Sequence, residues 1–315
     1  MKRALLLSLA LALLVACHSG GLPVPEETLP RSTSSGIKPD PVIAAAGDIV
    51  CAPAQTAGSR DQRRSCGDRL TAALLQRGKY DAVLTLGDNQ YESGELMNFR
   101  RVYARSWGRF RSITFPAPGN HEYGTARAAG YYAYFGEHAR DPAKGYYSFE
   151  IGAWHLIALN SNCGAVGGCG VSSPQGRWLK ADLARHRSGC TLAYWHHPRF
   201  SSGLHGSDDA YDGFWRLLFS AGADIVLVAH DHHYERFAPQ TPDAKLDERR
   251  GITQFVVGTG GRSHYPTAFP RPNSLVRNAS TFGVLALTLH PTSFDWRFVP
   301  VTGSRFSDTG RAVCH

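Results

Sequence analysis

Ala82-Val83-Leu84-Thr85-Leu86-Gly87-Asp88-Asn89-Gln90-Tyr91 opens as a buried strand and closes as a loop of polar side chains. A short unbroken run of apolar and β-favouring residues, ended by turn residues, reads as a strand covered on both faces. The carboxylate of Asp88 then stands just beyond the strand's carboxyl end. The same pattern recurs along the chain. Pro41 to Ala46 runs into Gly47-Asp48, and Ile113 to Pro118 into Gly119-Asn120-His121-Glu122. Leu192 to Trp195 runs into His196-His197, and Asp224 to Ala229 into His230-Asp231-His232.

Helical patterns separate several of these runs. Asp68 to Gln76 places Leu70, Ala73 and Leu74 as its apolar residues. Gln175 to His186 sets Trp178, Leu179, Ala181 and Leu183 on one side, and Tyr211 to Phe219 is a third helix. Strands alternating with helices make an α/β protein, whose ligand site lies beyond the carboxyl ends of the strands. The last third differs. Thr253 to Val257, Phe282 to Leu289 and Ser293 to Val299 read as successive strands joined by short turns, mainly antiparallel. The expected fold class is α/β: a four-layer α/β/β/α sandwich of two mixed sheets flanked by helices.

The five loops gather carboxylates, an amide, a phenol and imidazoles, the groups that bind transition metals of intermediate softness. Taken singly each has a plainer reading: aspartate after glycine is a common turn or helix cap, and a lone tyrosine or histidine more often packs. In extended backbone, however, His230 and His232 point the same way. Tyr91 follows Asp88 closely enough for one loop to aim both at one ion. No Gly-x-Ser-x-Gly element is present, and Ser201-Ser202-Gly203 lacks its first glycine, so a serine nucleophile is not indicated. Gly258 to Gly261 is a Gly-rich turn with no helical pattern after it, which makes it a close-packed turn near the site rather than a phosphate cradle.

Lys2 and Arg3 precede an apolar stretch, Ala4 to Ala16, too short to span a bilayer and shaped like a secretory signal. It ends in Leu14-Val15-Ala16-Cys17, which resembles a bacterial lipoprotein signal with the lipid on Cys17. The expected organisation is a signal at 1–17, a flexible Pro- and Ser-rich tether at 18–40, and one catalytic domain at 41–315. The six remaining cysteines suit an oxidising compartment, outside the cytoplasm and anchored to the membrane. Cys51 with Cys66 and Cys163 with Cys169 bracket short loops, which leaves Cys190 for Cys314. Spacing alone leaves other pairings open, while the lack of any C-x-x-C pair sets zinc aside. The net charge of +8 includes Lys2 and Arg3. It suits phosphorylated substrates but forms no block of like charge, and nucleic-acid binding is not indicated.

The ordered motifs resemble those of the calcineurin-like metallophosphoesterases, and within them the purple acid phosphatases: GDxG, GDxxY, GNH followed by an acid, VxxH and GHxH. The match runs from Asp48 to His232, and Tyr91 carries the narrower resemblance. His230 to Arg236 is similar to the family's last motif and its continuation. There are departures. Gly47-Asp48-Ile49-Val50 lacks the second glycine, so the loop after Asp48 takes another path, and the Cys51 to Cys66 insertion belongs to that change. Ala193 and Ala229 replace a valine and a glycine.

By position, the resemblance implies two ions. Asp48, Asp88, Tyr91 and His232 would hold Fe(III), while Asp88, Asn120, His196 and His230 would hold Fe(II), Zn(II) or Mn(II), with Asp88 bridging. It implies a small phosphorylated substrate, a phosphate monoester attacked by metal-bound hydroxide. His121 would contact the phosphate and protonate the leaving group, Glu122 would orient the His121 ring, and His205 would be a second substrate contact. His197 and His233 are read as neighbours of ligands, and Arg199 and Arg262 as solvent-exposed. A phosphodiesterase or nucleotide hydrolase on the same scaffold remains an alternative, as does a metal-binding surface lipoprotein without turnover.

Overall fold

The computed structural model describes residues 39–52, 66–186, 189–267 and 269–315. The signal and, apart from Pro39 and Asp40, the tether lie outside the described residues. In chain order the elements are β1 (Val42–Ala46), α1 (Asp68–Arg77), β2 (Ala82–Leu86), α2 (Leu96–Arg101), β3 (Thr114–Ala117) and α3 (Ala129–Phe135). Then come β4 (Tyr147–Ile151), β5 (Trp154–Ala158), α4 (Pro174–Arg185), β6 (Cys190–Tyr194), α5 (Asp212–Ala221) and β7 (Ile225–Val228). The chain closes with β8 (Tyr234–Phe237), β9 (Thr253–Val257), β10 (Ser274–Asn278), β11 (Gly283–His290), β12 (Ser293–Pro300) and β13 (Thr309–Val313).

Two mixed sheets result. The first has the order β13-β12-β11-β1-β2-β3, and the second β10-β8-β9-β7-β6-β5-β4. β1, β2 and β3 are parallel, as are β5, β6, β7 and β9. Strand β6 shows why the runs are apolar throughout. Its side chains alternate between two cores, as the two-residue period of a strand requires. Leu192 and Tyr194 face the core shared with the first sheet, beside Ile43, Leu84 and Leu287. Ala193 and Trp195 face the other way, onto Leu179, Leu183, Phe214 and Leu218 of α4 and α5. Helix α1 lies on the first sheet against β11. The layers are therefore the four expected.

Cross-sheet contacts fix the sandwich. The Tyr194 hydroxyl donates to the Phe115 carbonyl at 3.1 Å, and Trp154 Nε1 donates to the His290 carbonyl at 2.7 Å. Disulfides join Cys51–Cys66, Cys163–Cys169 and Cys190–Cys314. The last joins the start of β6 to the chain just after β13, and so ties the two sheets at the end away from the loops of interest. By chain-entropy reasoning a closure this long is worth roughly 4–5 kcal/mol.

Two expectations are corrected. The strand Thr253–Val257 is not an antiparallel neighbour of the two that follow: it pairs parallel with β7 in the second sheet, whereas β11 and β12 belong to the first. Helix α1 is rotated from the face expected. Leu74 is buried as expected, but Leu70 is exposed, and Thr71, Ala72 and Leu75 are buried instead. Thr71 takes the inner position because its hydroxyl is used twice, donating to the Gly260 carbonyl and accepting from Trp107 Nε1 at 3.0 Å.

Candidate metal centre

The loops after β1, β2, β3, β6 and β7 meet at one end of the seam between the sheets. Asp48, Asp88 and His230 adopt φ values of 56°, 49° and 68°. Left-handed backbone at a non-glycine residue is costly and persists where the surroundings over-determine it. Here the surroundings are close. A Cβ on Gly119 would stand 2.1 Å from Asp88 Oδ1, and one on Gly47 would stand 2.5 Å from the Ala229 Cβ. The alanine that departs from the family pattern is thus packed directly on the first motif. Ile49 and Val50 are fully buried and bond to the Asp88 and Asn89 carbonyls at 2.9 and 3.1 Å. That extended path is the one taken by the loop after Asp48. Of the Cys51–Cys66 insertion, residues 53–65 lie outside the described residues.

Two knots of polar atoms form, with Asp88 in both. In the first, the Tyr91 hydroxyl lies 2.8 Å from Asp48 Oδ1, 3.0 Å from Asp88 Oδ2 and 3.0 Å from His232 Nε2. In the second, His196 Nε2 lies 3.1 Å from Asp88 Oδ2, 3.1 Å from Asn120 Oδ1 and 3.2 Å from His230 Nδ1. His196 Nδ1 faces the Leu86 carbonyl at 2.8 Å, and His232 Nδ1 the Ser263 carbonyl at 2.6 Å. A carbonyl only accepts, so each Nδ1 carries a proton, and either ring, when neutral, turns an Nε2 lone pair into its knot. A single proton at the centre of either knot serves one acceptor and leaves the others facing lone pairs. A cation serves them all. The donor set fits two ions, one held by Asp48, Asp88, Tyr91 and His232, the other by Asp88, Asn120, His196 and His230.

The electrostatics show the same conflict. Burial opposes charge on Asp88, but His196 and His121 outweigh it and hold the carboxyl well below its ordinary range. Burial also opposes charge on His196, yet Asp88 and Asp48 raise it to about 9. His230 is driven down by burial and by His196. Burial, with Asp48 and Asp88, pushes Tyr91 well above 10, so the phenolate needs a cation beside it.

Other predicted residues fall as follows. His121 is at the open side, its ring centroid 4.2 Å from that of Tyr91 and its Nε2 3.8 Å from Asp88 Oδ2. Its Nδ1 meets the Glu92 carbonyl, not Glu122. This corrects the role expected of Glu122: fully buried, it accepts N–H groups of Gly119, Asn89 and Gln90 at 2.7, 2.9 and 3.2 Å. It therefore joins the β2 and β3 loops. Burial and the Asp88 charge push its carboxyl up to about 7, against those amides. His205 is exposed, with its ring 4.3 Å from that of His230. His197 offers a ring nitrogen within 4.8 Å of those of His196 and His230, while its Nδ1 meets the Ser161 hydroxyl at 2.8 Å. His233 is buried against Glu235 at 3.1 Å.

Arg262 was expected in solvent. Its guanidinium instead stands 4.9 Å over the Tyr91 ring and pairs with Glu92 at 2.9 Å. Arg199 is mostly buried, paired with Asp209 at 2.9 Å and laid over Phe200. The Gly258–Gly261 turn packs on the site as expected, with a Gly258 Cβ position only 2.7 Å from Asp48 Oδ2. What the sequence did not announce is the stretch beyond it. Ser263 orients His232 through its carbonyl, and Tyr265 stacks on the His232 ring at 3.9 Å. The only signal was the glycine turn leading there.

Such a pair of knots at the strand ends of a two-sheet sandwich is the design of a dinuclear metallophosphoesterase. Residues 41–234 match the family described as calcineurin-like phosphoesterase, and the chain belongs to it. Human acid phosphatase type 7 is 27% identical over 242 residues, covering 64% of this chain and 53% of that protein. Purple acid phosphatase 15 of Arabidopsis thaliana is 36% identical over 122 residues, 37% of this chain and 22% of its own. The chain thus spans about half, or less, of these curated relatives. Among solved structures, yellow lupin purple acid phosphatase PPD1 superposes with a TM-score of 0.68 at 17% identity, over 87% of this chain and 53% of that one. Plasmodium GAP50, an anchor in the inner membrane complex, gives 0.62 at 14%, over 88% and 90%. At these identities both likenesses speak to the fold alone.

Proposed function

We propose that this chain is an exported phosphatase that hydrolyses small phosphate monoesters at a dinuclear metal centre. The observation that carries the reading is the convergence of acceptors on His196 Nε2 and on the Tyr91 hydroxyl, which one proton cannot satisfy. The carboxylate- and phenolate-rich half suits a hard trivalent ion, Fe(III). The imidazole and amide half suits Fe(II), Zn(II) or Mn(II). When bound, the ions supply a Lewis acid and water acidified to near neutrality.

The protein's own groups do the rest. Asp88 reaches both halves and sets them side by side. Its backbone φ and the Gly119 approach hold the carboxylate against either half. His121 donates Nδ1–H to the Glu92 carbonyl, and in its imidazolium form carries a second proton on Nε2 at the open side, which would bond a phosphate oxygen and pass to the departing alkoxide. His205, exposed above His230, would meet the same phosphate. Arg262, paired with Glu92, lies at the rim beside Tyr91.

Three disulfides are in keeping with a compartment outside the cytoplasm, with the domain tethered to a membrane by lipid on Cys17. Among the described residues no helix is long and apolar enough to cross a membrane. The deciding experiment compares kcat/KM for a phosphate monoester and a bis-ester on the metal-loaded chain, alongside its metal content. The monoester is expected to be the better substrate. A faster diester would replace the monoesterase reading with the diesterase one, and metal binding without turnover would leave a binding protein.

A further inference from the structure

Asp231 stands between two ligand candidates, His230 and His232, yet takes no part in either knot. Its side chain is fully buried and turns toward the segment after β6. Oδ2 accepts the Ser201 hydroxyl and the Gly206 N–H at 3.2 Å, and Oδ1 accepts the His205 N–H at 2.8 Å. Ser201 Oγ in turn accepts the Gly203 N–H at 2.9 Å. A Cβ on Gly203 would stand 2.3 Å from Asp231 Cγ, so the turn lies this close only because glycine is there. A second buried carboxylate, Glu235, accepts the Ser202 N–H at 2.8 Å and the Ser202 hydroxyl. The segment from Ser201 to Gly206 is thus held from beneath by two acids.

Burying a carboxylate is expensive unless donors surround it, and among the described residues every donor to the Asp231 side chain belongs to this one turn. The turn ends on His205. Among the described residues that imidazole makes no side-chain hydrogen bond, and its ring rests 4.3 Å from His230 and 5.6 Å from Tyr265. Where the ring sits along the rim depends on its backbone, and Asp231 accepts the N–H of that backbone. We propose that Asp231 is a positioning residue, setting His205 at the rim of the metal centre so that it meets the phosphate of the substrate. The inference rests on the function proposed above.

The test is a double-mutant cycle of Asp231→Ala with His205→Ala, with Ser201→Ala as a milder variant and metal content measured in each protein. Each single change is expected to raise KM about tenfold for Asp231→Ala and His205→Ala, and less for Ser201→Ala, within the range of residues sharing one network. kcat changes less, metal content stays at the wild-type level, and the double variant is no worse than His205→Ala alone. Additive losses, or loss of metal from Asp231→Ala, would overturn the proposal. If Asp231→Ala does not fold, Ser201→Ala takes its place in the cycle. If the wild-type chain cleaves no phosphate ester, the function reading fails by itself. Calorimetric titration of the same proteins with inorganic phosphate then reads the coupling: shared loss supports the positioning role and independent losses contradict it.

Discussion

The two sheets contribute unlike halves of the centre. Loops of the first sheet bring Asp48, Asp88, Tyr91 and Asn120, all oxygen donors. Loops of the second bring His196, His230 and His232, all nitrogen donors. Neither half closes a knot alone, since Tyr91 needs His232 and Asn120 needs His196. The two halves are also braced differently. Glu122 gathers the loops of the first sheet by their backbone amides, whereas Asp231 and Glu235 brace the turn beside the histidines of the second. The centre is thus a property of the seam, and packing between the sheets sets its geometry.

The most severe loss is expected at the one residue common to both knots. Asp88→Ala is expected to remove both ions and lower kcat/KM by more than the ~10–100-fold that partners outside the ligand set cost. Metal analysis and steady-state rates on the same preparation check it. Next come changes confined to one half. His230→Ala is expected to lose the divalent ion and keep the other. Tyr91→Phe should retain metal but lose the visible tyrosinate-to-Fe(III) band, as an absorption spectrum would reveal. A smaller effect is expected at the brace of the first sheet. Glu122→Gln turns an amide toward backbone N–H donors, a cost of about 1–3 kcal/mol measurable by chemical unfolding.

The smallest effect lies far from the centre, at the start of β7. Burial pushes the Asp224 carboxyl up to about 6, against the Thr191 and His315 amides and the His315 ring. Between its unfolded value near 3.8 and about 6, the folded chain keeps a proton that the unfolded chain releases. Stability therefore falls as pH rises through that window, and is not recovered above it. Asp224→Asn should flatten this part of the curve of stability against pH. An unchanged slope would show that Asp224 titrates normally in the folded chain.

Much of this was legible because the ligands follow directly on apolar runs. A strand buried on both faces announces itself, and its next residues must lie at its carboxyl end. The ligand candidates and the layers came from that local pattern and from the resemblance it supports, and the cysteine pairs from their count and spacing. What escaped depends on partners distant in the chain. Leu70 lost its place in the core to Thr71, which finds Gly260 and Trp107 far away. Glu122 braces loops rather than His121, Arg262 covers Tyr91, and Thr253–Val257 pairs with β7. No periodicity encodes such pairings, because each is decided only when the two sheets meet.

Anomalous scattering from crystals of the metal-loaded chain tests the seam directly. Two ions are expected to flank the Asp88 carboxylate, one against Asp48, Tyr91 and His232, the other against Asn120, His196 and His230. A single ion, or ions bound by the side chains of one sheet only, would contradict that arrangement.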